Sequence, residues 1–367
     1  MFLRRFYPAL WLAGAALLYG CASEQTKPIA AVSNLQRVTS REAIELQPNV
    51  SPDGRKVAFA GKLLTAGGKS PFQIWVLDTV DQRNIIQVTQ HAADSLRPSW
   101  SSDQKTIVFD SQRLRTRTIW EKSATGLGAD QQLTADGKTQ DWDAHVSSEG
   151  RIAFISEPLG LGYALAKFFT LGLYDGRKAV ICDADGTRLS KIYAQSLNWS
   201  PDGGNIVFAS NMGCTARNYD IWVVSADGSK LQQLTNHPAQ DMDPAWSPDG
   251  NKIVFASDRA MEGNFDLWIM NADGSGLTQL TWGGRNEMHP CWGGDGNIYF
   301  QTDSSSVTRN NWDIWRLKPV LGRMVPRGVA GGEGMTKDLK EEIRDLEFDL
   351  QKKDTGPLRN IKPITEK

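Results

Sequence analysis

Short apolar runs, rather than long amphipathic stretches, carry the pattern between about residues 35 and 320. "KVAFAG" (56–61), "TIVFDS" (106–111), "NIVFAS" (205–210) and "KIVFAS" (252–257) are each followed by a second run: "QIWVLD" (73–78), "TIWEKS" (118–123), "DIWVVS" (220–225) and "DLWIMN" (266–271). Six residues rich in Val, Ile, Phe and Trp, bounded by polar clusters, read as β-strands. The polar cluster before the first run is itself repeated: "VSPDG" (50–54), "WSSDQ" (100–104), "WSPDG" (199–203) and "WSPDG" (246–250). Ser-Pro-Asp-Gly suits a type I turn, with a polar acceptor first, Pro setting φ second and Gly accepting the last position. A second turn, "ADGS" at 226–229 and 272–275, joins the "DIWVVS"-type run to a "QLT"-type run.

The whole unit recurs. "LNWSPDGGNIVFASNMGCTARNYDIWVVSADGSKLQQLT" (197–235) aligns with "PAWSPDGNKIVFASDRAMEGNFDLWIMNADGSGLTQLT" (244–281), and looser copies surround them. The first turn starts at Ser51, Ser101, Ser147, Ser200, Ser247 and Gly293, a spacing of 46–53 residues that belongs to propeller blades. Each copy is a four-stranded antiparallel meander that cannot bury both faces alone, whereas radial stacking buries them and leaves few edges. The last copy stops near Pro319 after three strands. "LQRVTSREAIELQPNVSPDG" (35–54) matches "LQQLTNHPAQDMDPAWSPDG" (231–250), so residues 35–39 are predicted to complete the last blade. The fold expected is all-β: a closed six-bladed β-propeller of four-stranded antiparallel blades over 35–320. It is preceded by a signal peptide (1–20) and a linker (21–34), and followed by a Gly-rich linker and short C-terminal helix (321–367).

This repeat, PxWSPDGxxIVFxSxR…DIWVxxADGSxxxQLT, resembles the TolB-like β-propeller family of bacterial envelope proteins, a WD40-like (PD40) repeat. The resemblance covers roughly residues 35–320. It implies the propeller fold but not one function, because the same repeat occurs in binding proteins, sugar-degrading lyases and propellers attached to peptidases. TolB carries an α/β domain before its propeller and is soluble. Here only about fourteen residues separate Cys21 from the first predicted strand, so the resemblance implies a propeller-only relative, without assigning it to the Tol–Pal system.

Composition and address add to this picture. Lys plus Arg (41) and Asp plus Glu (42) nearly cancel, giving a formal charge of −1, and no basic run or aromatic–basic stripe points to nucleic acid. Trp is abundant but falls in two blade slots, Trp75, Trp120, Trp222, Trp268 and Trp315, and Trp100, Trp199, Trp246 and Trp292, which are packing positions. The N-terminus has Arg4 and Arg5, an apolar run and then "LYGC". That is a secretory signal resembling a bacterial lipobox, with Cys21 as the lipidated first residue. Ala22 after it favours the outer membrane, so the chain is expected in the periplasm, attached by lipid. Of the remaining cysteines, Cys182 and Cys291 fall in predicted strands as buried thiols and Cys214 in a loop; no spacing suggests zinc.

Antiparallel meanders put both tight turns on one face of the ring and the longer, variable connections on the other, where binding usually resides. Before each inner strand, two alternate positions are expected to point the same way: Glu45 and Gln47, Ser95 and Arg97, Asp141 and Asp143, Ala194 and Ser196, Asp241 and Asp243, Glu287 and His289. Six carboxylates against Arg97 and His289 make a negative channel mouth suited to a cation such as Ca2+ or to a basic peptide segment of an envelope partner. The structural alternative is that several of these acids cap neighbouring loops.

Two further features are an apolar insertion in the third copy, "SEPLGLGYALAKFFTLGLYDGRKA" (156–179), and "TKDLKEEIRDLEFDLQKK" (336–353). The latter has Leu339, Ile343, Leu346 and Leu350 at heptad spacing for a docking helix. Catalysis finds no GxSxG, HExxH or phosphate loop. His145 stands out of phase with the acidic ring, so no His metal cluster is expected there. The functional expectation is a non-enzymatic binding scaffold. The alternative is a carbohydrate lyase or hydrolase, for which a polar channel cluster could come only from Gln47, Arg97 and His289.

Overall fold

The computed structural model describes residues 28–39, 43–63, 70–134, 137–159, 168–172, 178–181, 194–212, 218–303 and 312–326. The signal peptide, Cys21, Cys182, Cys214, much of the 156–179 insertion and the 336–353 helix lie outside the described residues. Pro28–Val325 forms one compact unit.

The chain enters with β1 (Pro28–Arg37). One sheet then follows of β2 (Ala43–Val50), β3 (Lys56–Leu63), β4 (Gln73–Asp78) and β5 (Ile85–Gln87). The next holds β6 (Ser95–Trp100), β7 (Thr106–Ser111), β8 (Thr118–Ser123) and β9 (Gln131–Gln132). The third comprises β10 (Thr139–Val146), β11 (Ile152–Pro158), β12 (Phe168–Gly172) and β13 (Lys178–Ile181). The fourth comprises β14 (Ala194–Trp199), β15 (Asn205–Ser210), β16 (Asp220–Ser225) and β17 (Leu231–Gln233). Two last meanders are β18 (Asp241–Trp246), β19 (Lys252–Met261), β20 (Asn264–Asn271) and β21 (Thr278–Gln279), then β22 (Glu287–Trp292), β23 (Ile298–Thr302) and β24 (Asp313–Pro326).

These are antiparallel four-stranded meanders, as the repeat requires, but the sheets number five where six blades are expected. The last two copies share one eight-stranded sheet, ordered β18-β19-β20-β21-β1-β24-β23-β22. The cause is β1. It is longer than the other outer strands, starts at Pro28 inside the stretch read as linker, and makes a parallel bridge, Ile29 with Gln279, to the preceding meander. β24 likewise runs to Pro326, past the predicted boundary at 320. The third copy differs as well. There "FFTLG", inside the insertion, pairs with β11 as the third strand, Phe169 opposite Ile155, and Lys178–Ile181 is the fourth. The extra residues are therefore partly a strand.

Each signature residue of the repeat closes a backbone hydrogen bond. In the first turn, Ser51 Oγ donates to Asp53 Oδ1 (2.7 Å) and accepts from Lys56 N (3.0 Å), while Asp53 Oδ1 accepts from Arg55 N (3.1 Å). Gly54 takes φ +74°, which a side chain would strain. The same Ser–Asp pairing recurs at Ser101 and Asp103, Ser200 and Asp202, and Ser247 and Asp249. The Thr of "QLT" accepts from the backbone of the third strand: Ile74 N to Thr89, Ile119 N to Thr134, Ile221 N to Thr235 and Leu267 N to Thr281. In the last meander that Thr comes from the other end of the chain, since Ile314 N donates to Thr39 Oγ1 at 2.9 Å. Val38 N and Thr39 N donate to Ile314 O, as Leu234 N and Thr235 N do to Ile221 O. Between blades the core is aliphatic and aromatic, with Phe59, Phe109, Phe208, Phe255 and Phe300 in equivalent slots and all buried. Trp100, Trp199, Trp246, Trp268 and Trp315 are buried too.

Candidate functional site

The inner strands are not regular. Each one slips register once: between Leu46 and Asn49, Leu96 and Ser99, Trp142 and His145, Gln195 and Asn198, Met242 and Ala245, and Met288 and Cys291. At each slip one residue adopts a left-handed backbone: Gln47 (φ 56°), Arg97 (51°), Asp143 (58°), Ser196 (59°), Asp243 (54°) and His289 (49°). A non-glycine residue there is strained by about 1–2 kcal/mol, and a bulge re-aims its side chain. The bulge also breaks the period-two alternation on which the expected acidic ring depended. The six bulge side chains line one central cavity of about 330 Å3.

Their predicted companions go elsewhere. Glu45 (1 % exposed), Asp141 (1 %), Asp241 (0 %) and Glu287 (9 %) are buried in the sheets rather than turned to the cavity, as are Ser95 and Ala194. Asp141 accepts from Ser156 Oγ (2.6 Å) and Thr139 Oγ1 (2.9 Å), and Asp241 accepts from Ser257 Oγ (2.6 Å) and pairs with Arg259. Arg259 stacks over Trp268 (5.1 Å) and Phe255 (5.4 Å). Burial pushes the Glu287 carboxyl up to about 8, with Asp266 adding like charge. The negative mouth of six acids is thus corrected to two, Asp143 and Asp243, beside Gln47, Arg97, Ser196 and His289.

Those six are wired around the ring. Gln47 Oε1 accepts from Arg97 N (3.1 Å), Asp143 Oδ2 accepts from Ser196 N and from Leu197 N (3.3 Å), and Asp243 Oδ2 accepts from His289 N (3.2 Å). Where the bulge residue is Arg97 or His289 and offers no carbonyl or carboxylate, the second strand supplies the acceptor. Asp110 takes Asp143 N (3.3 Å) and Gln301 takes Gln47 N (2.7 Å). Charges pair within the ring. Arg97 holds Asp110 (3.2 Å) and lies 4.0 Å from Asp143, its guanidinium over Trp142 (4.9 Å). His289 Nδ1 stands 3.1 Å from Asp243 Oδ2. Burial holds the Asp143 carboxyl above its ordinary range, against the pull of Arg97.

A second ring sits two residues on. Asn49 Oδ1 accepts from Trp100 N (3.2 Å), Ser99 Oγ from Val146 N (3.1 Å) and Asn198 Oδ1 from Trp246 N (3.1 Å). In the third copy the acceptor is His145, whose two ring nitrogens face donors, Trp199 N at Nδ1 (3.3 Å) and Asn198 Nδ2 at Nε2 (3.0 Å), and the neutral ring accepts from one of them. The ring must be neutral to accept, and burial pulls its pKa from 6.5 down to about 4. Unfolding therefore takes up a proton below 6.5 that the fold refuses until about 4. The contribution of His145 is complete above pH 6.5 and is lost as pH falls from 6.5 to 4, by at most about 3 kcal/mol. His145→Asn installs the residue that stands at 49 and 198, so it should cost about 1 kcal/mol or less at pH 7 and be more stable than the parent near pH 4.5. Urea midpoints at both pH values test this; parallel pH profiles would rule out His145 as the titrating group.

Cys291 is a buried free thiol, its pKa pushed up to about 12 by burial, as the strand position implied. Among the described residues no group of three or more His, Cys, Asp or Glu could hold a metal ion, so Ca2+ at the mouth finds no such donor set. Nor, among them, is any helix long and apolar enough to cross a membrane. The bulges are what the sequence reading missed, and Pro at 48, 98, 244 and 290, right after the bulge residue, was the available signal.

Fold and site together define a β-propeller with a polar, internally paired central cavity. Residues 173–316 match the family profile described as the TolB beta propeller domain. That stretch lies within the propeller. A proposed TolB from Agrobacterium tumefaciens is 18% identical, with a TM-score of 0.56 over 77% of this chain and 92% of that one. A gluconolactonase from Xanthomonas campestris is 12% identical, at 0.55 over 80% and 95%. An oligogalacturonate lyase from Vibrio parahaemolyticus is 15% identical, at 0.50 over 79% and 98%. At such identities these likenesses speak for the fold alone. No curated protein matches the chain.

Proposed function

We propose that the chain is an envelope lipoprotein acting as a protein- or ligand-binding scaffold, through the loop-bearing face and channel mouth of a closed six-bladed TolB-like propeller. The observation that carries this is the cavity. Six inner strands each accept a strained backbone to turn one polar side chain into it, and such strain clusters at binding sites. Lipid on Cys21 and Ala22 after it place the protein in the periplasm on the outer membrane, and turnover is not its purpose. The partner is an envelope protein. With two acids rather than six at the mouth, a docking segment bearing one positive group suits it better than a run of them.

Crosslinked envelopes from the parent and from Asp143→Asn/Asp243→Asn should differ in one captured protein, lost in the variant at equal expression. Identical capture moves the site to the 156–179 insertion or the 336–353 segment. Cys21→Ala should release the protein from the membrane fraction.

One observation favours the alternative. Gln47, Arg97 and His289, the trio read from the sequence, line the same cavity, and so do His145 and Gln195. Turnover of an oligogalacturonate or a sugar lactone, abolished by His289→Ala in a folded protein, would establish a carbohydrate-active enzyme instead.

A further inference from the structure

Around the cavity the bulge residues run in chain order Gln47, Arg97, Asp143, Ser196, Asp243 and His289, one per inner strand. They are not mixed at random. Asp143, Ser196 and Asp243, on three consecutive strands, present oxygen acceptors. His289, Gln47 and Arg97, on the other three, present nitrogen. The two carboxylates flank Ser196, whose Oγ donates to Asp243 Oδ1 at 2.6 Å and keeps its lone pairs. Asp143 Oδ2 takes two backbone N–H groups, which leaves Oδ1 facing only the Arg97 Nε at 4.0 Å. Opposite, the Gln47 carbonyl is taken by Arg97 N, which turns its amide nitrogen away from that bond, and Arg97 meets Asp110 through Nη1 alone. Among the described residues neither Gln47 Nε2 nor Arg97 Nη2 is used in a hydrogen bond. The cavity is dipolar: unspent acceptors at the Ser196 side, unspent donors at the Gln47 side.

We propose that this cavity binds a small zwitterion, an ammonium group against Asp143, Ser196 and Asp243 and a carboxylate against Arg97 and Gln47, as a free amino acid or ω-amino acid presents. Neither charge end alone satisfies the ring. An anion would leave Asp143 uncompensated in a site whose burial already disfavours its charge, and a cation would leave Arg97 Nη2 and Gln47 Nε2 unmet. About 330 Å3 stands at the small end of ligand pockets, fitting one such molecule rather than an extended chain. Pro48, Pro98, Leu197, Pro244 and Pro290 add apolar wall to the same cavity, which a methylene spacer can contact. The proposal rests on the binding reading above and names the ligand class of that mouth.

The test is calorimetric titration of the full chain with glycine, 4-aminobutyrate and 6-aminohexanoate, against butyrate and butylammonium, each alone. At least one amino acid should bind about tenfold more tightly than either single-charge analogue. Arg97→Gln should remove most of that difference, and so should Gln47→Leu, which keeps the charge network should the Arg97 variant not fold. Equal binding of butyrate or butylammonium, or no binding of any amino acid at millimolar concentration, overturns the proposal. Its failure is separable from that of the scaffold reading. Capture of an envelope partner lost in Asp143→Asn/Asp243→Asn, with no zwitterion bound, sinks only the ligand class.

Discussion

Deleting residues 22–40 should cost the propeller several kcal/mol or drive it to aggregate, far beyond what removing a short terminal segment usually does. The deletion takes away β1, which alone joins β21 to β24 in the eight-stranded sheet. It also removes the Thr39 acceptor for Ile314 N, the Val38 and Thr39 amides on Ile314 O, and the Arg37 partner of Asp313 at 2.8 Å. Val38 is 4 % exposed and contributes about 2 kcal/mol by burial alone. Two sheet edges are left bare, and a bare edge pairs with other chains. Thermal unfolding of the deletion protein should begin more than about ten degrees below the parent or end in precipitate. A melt within a few degrees of the parent would show that the last blade stands on three strands.

Asp241→Asn should be the most damaging of the single acid substitutions, about 3 kcal/mol or more. Asp241 is fully buried and Arg259 is 4 % exposed at its side chain, so neutralising the acid leaves a buried guanidinium with nothing to balance it. Removing one member of such a pair costs more than replacing both, so Asp241→Asn with Arg259→Met should recover part of the loss. Asp243→Asn keeps one acceptor oxygen, for His289 N, while the Ser196 hydroxyl can turn to accept from the new amide NH2, so it should cost about 1 kcal/mol. The equivalent pair in the second copy has already diverged: Ser95 replaces the acid, and Arg113, donating to Ser95 Oγ at 3.3 Å, finds Asp130 instead. Urea midpoints for the four proteins decide it; equal midpoints for Asp241→Asn and Asp243→Asn would mean the Arg259 pair carries no net stability.

The blade was legible in the sequence because its signals are local. Ser-x-Asp turns close on atoms five residues apart or fewer, and the strands between them follow from Val, Ile, Phe and Trp at fixed spacing. The Thr of "QLT" at residue 39 announced the closing strand, since the same Thr bonds the third strand in four other copies. What tertiary structure alone decided was which way the acids face. Glu45 and Gln47, or Asp241 and Asp243, are indistinguishable by period-two alternation. One slipped residue per inner strand sends the first of each pair into the sheet and the second into the cavity. The slip is held by the next blade, whose backbone N–H groups are taken by Gln47, Asp143 and Asp243 across about fifty residues of chain. A register set by bonds between blades exists only once the blades are stacked, so turn and strand chemistry specify the meander while the stacked blades specify the site.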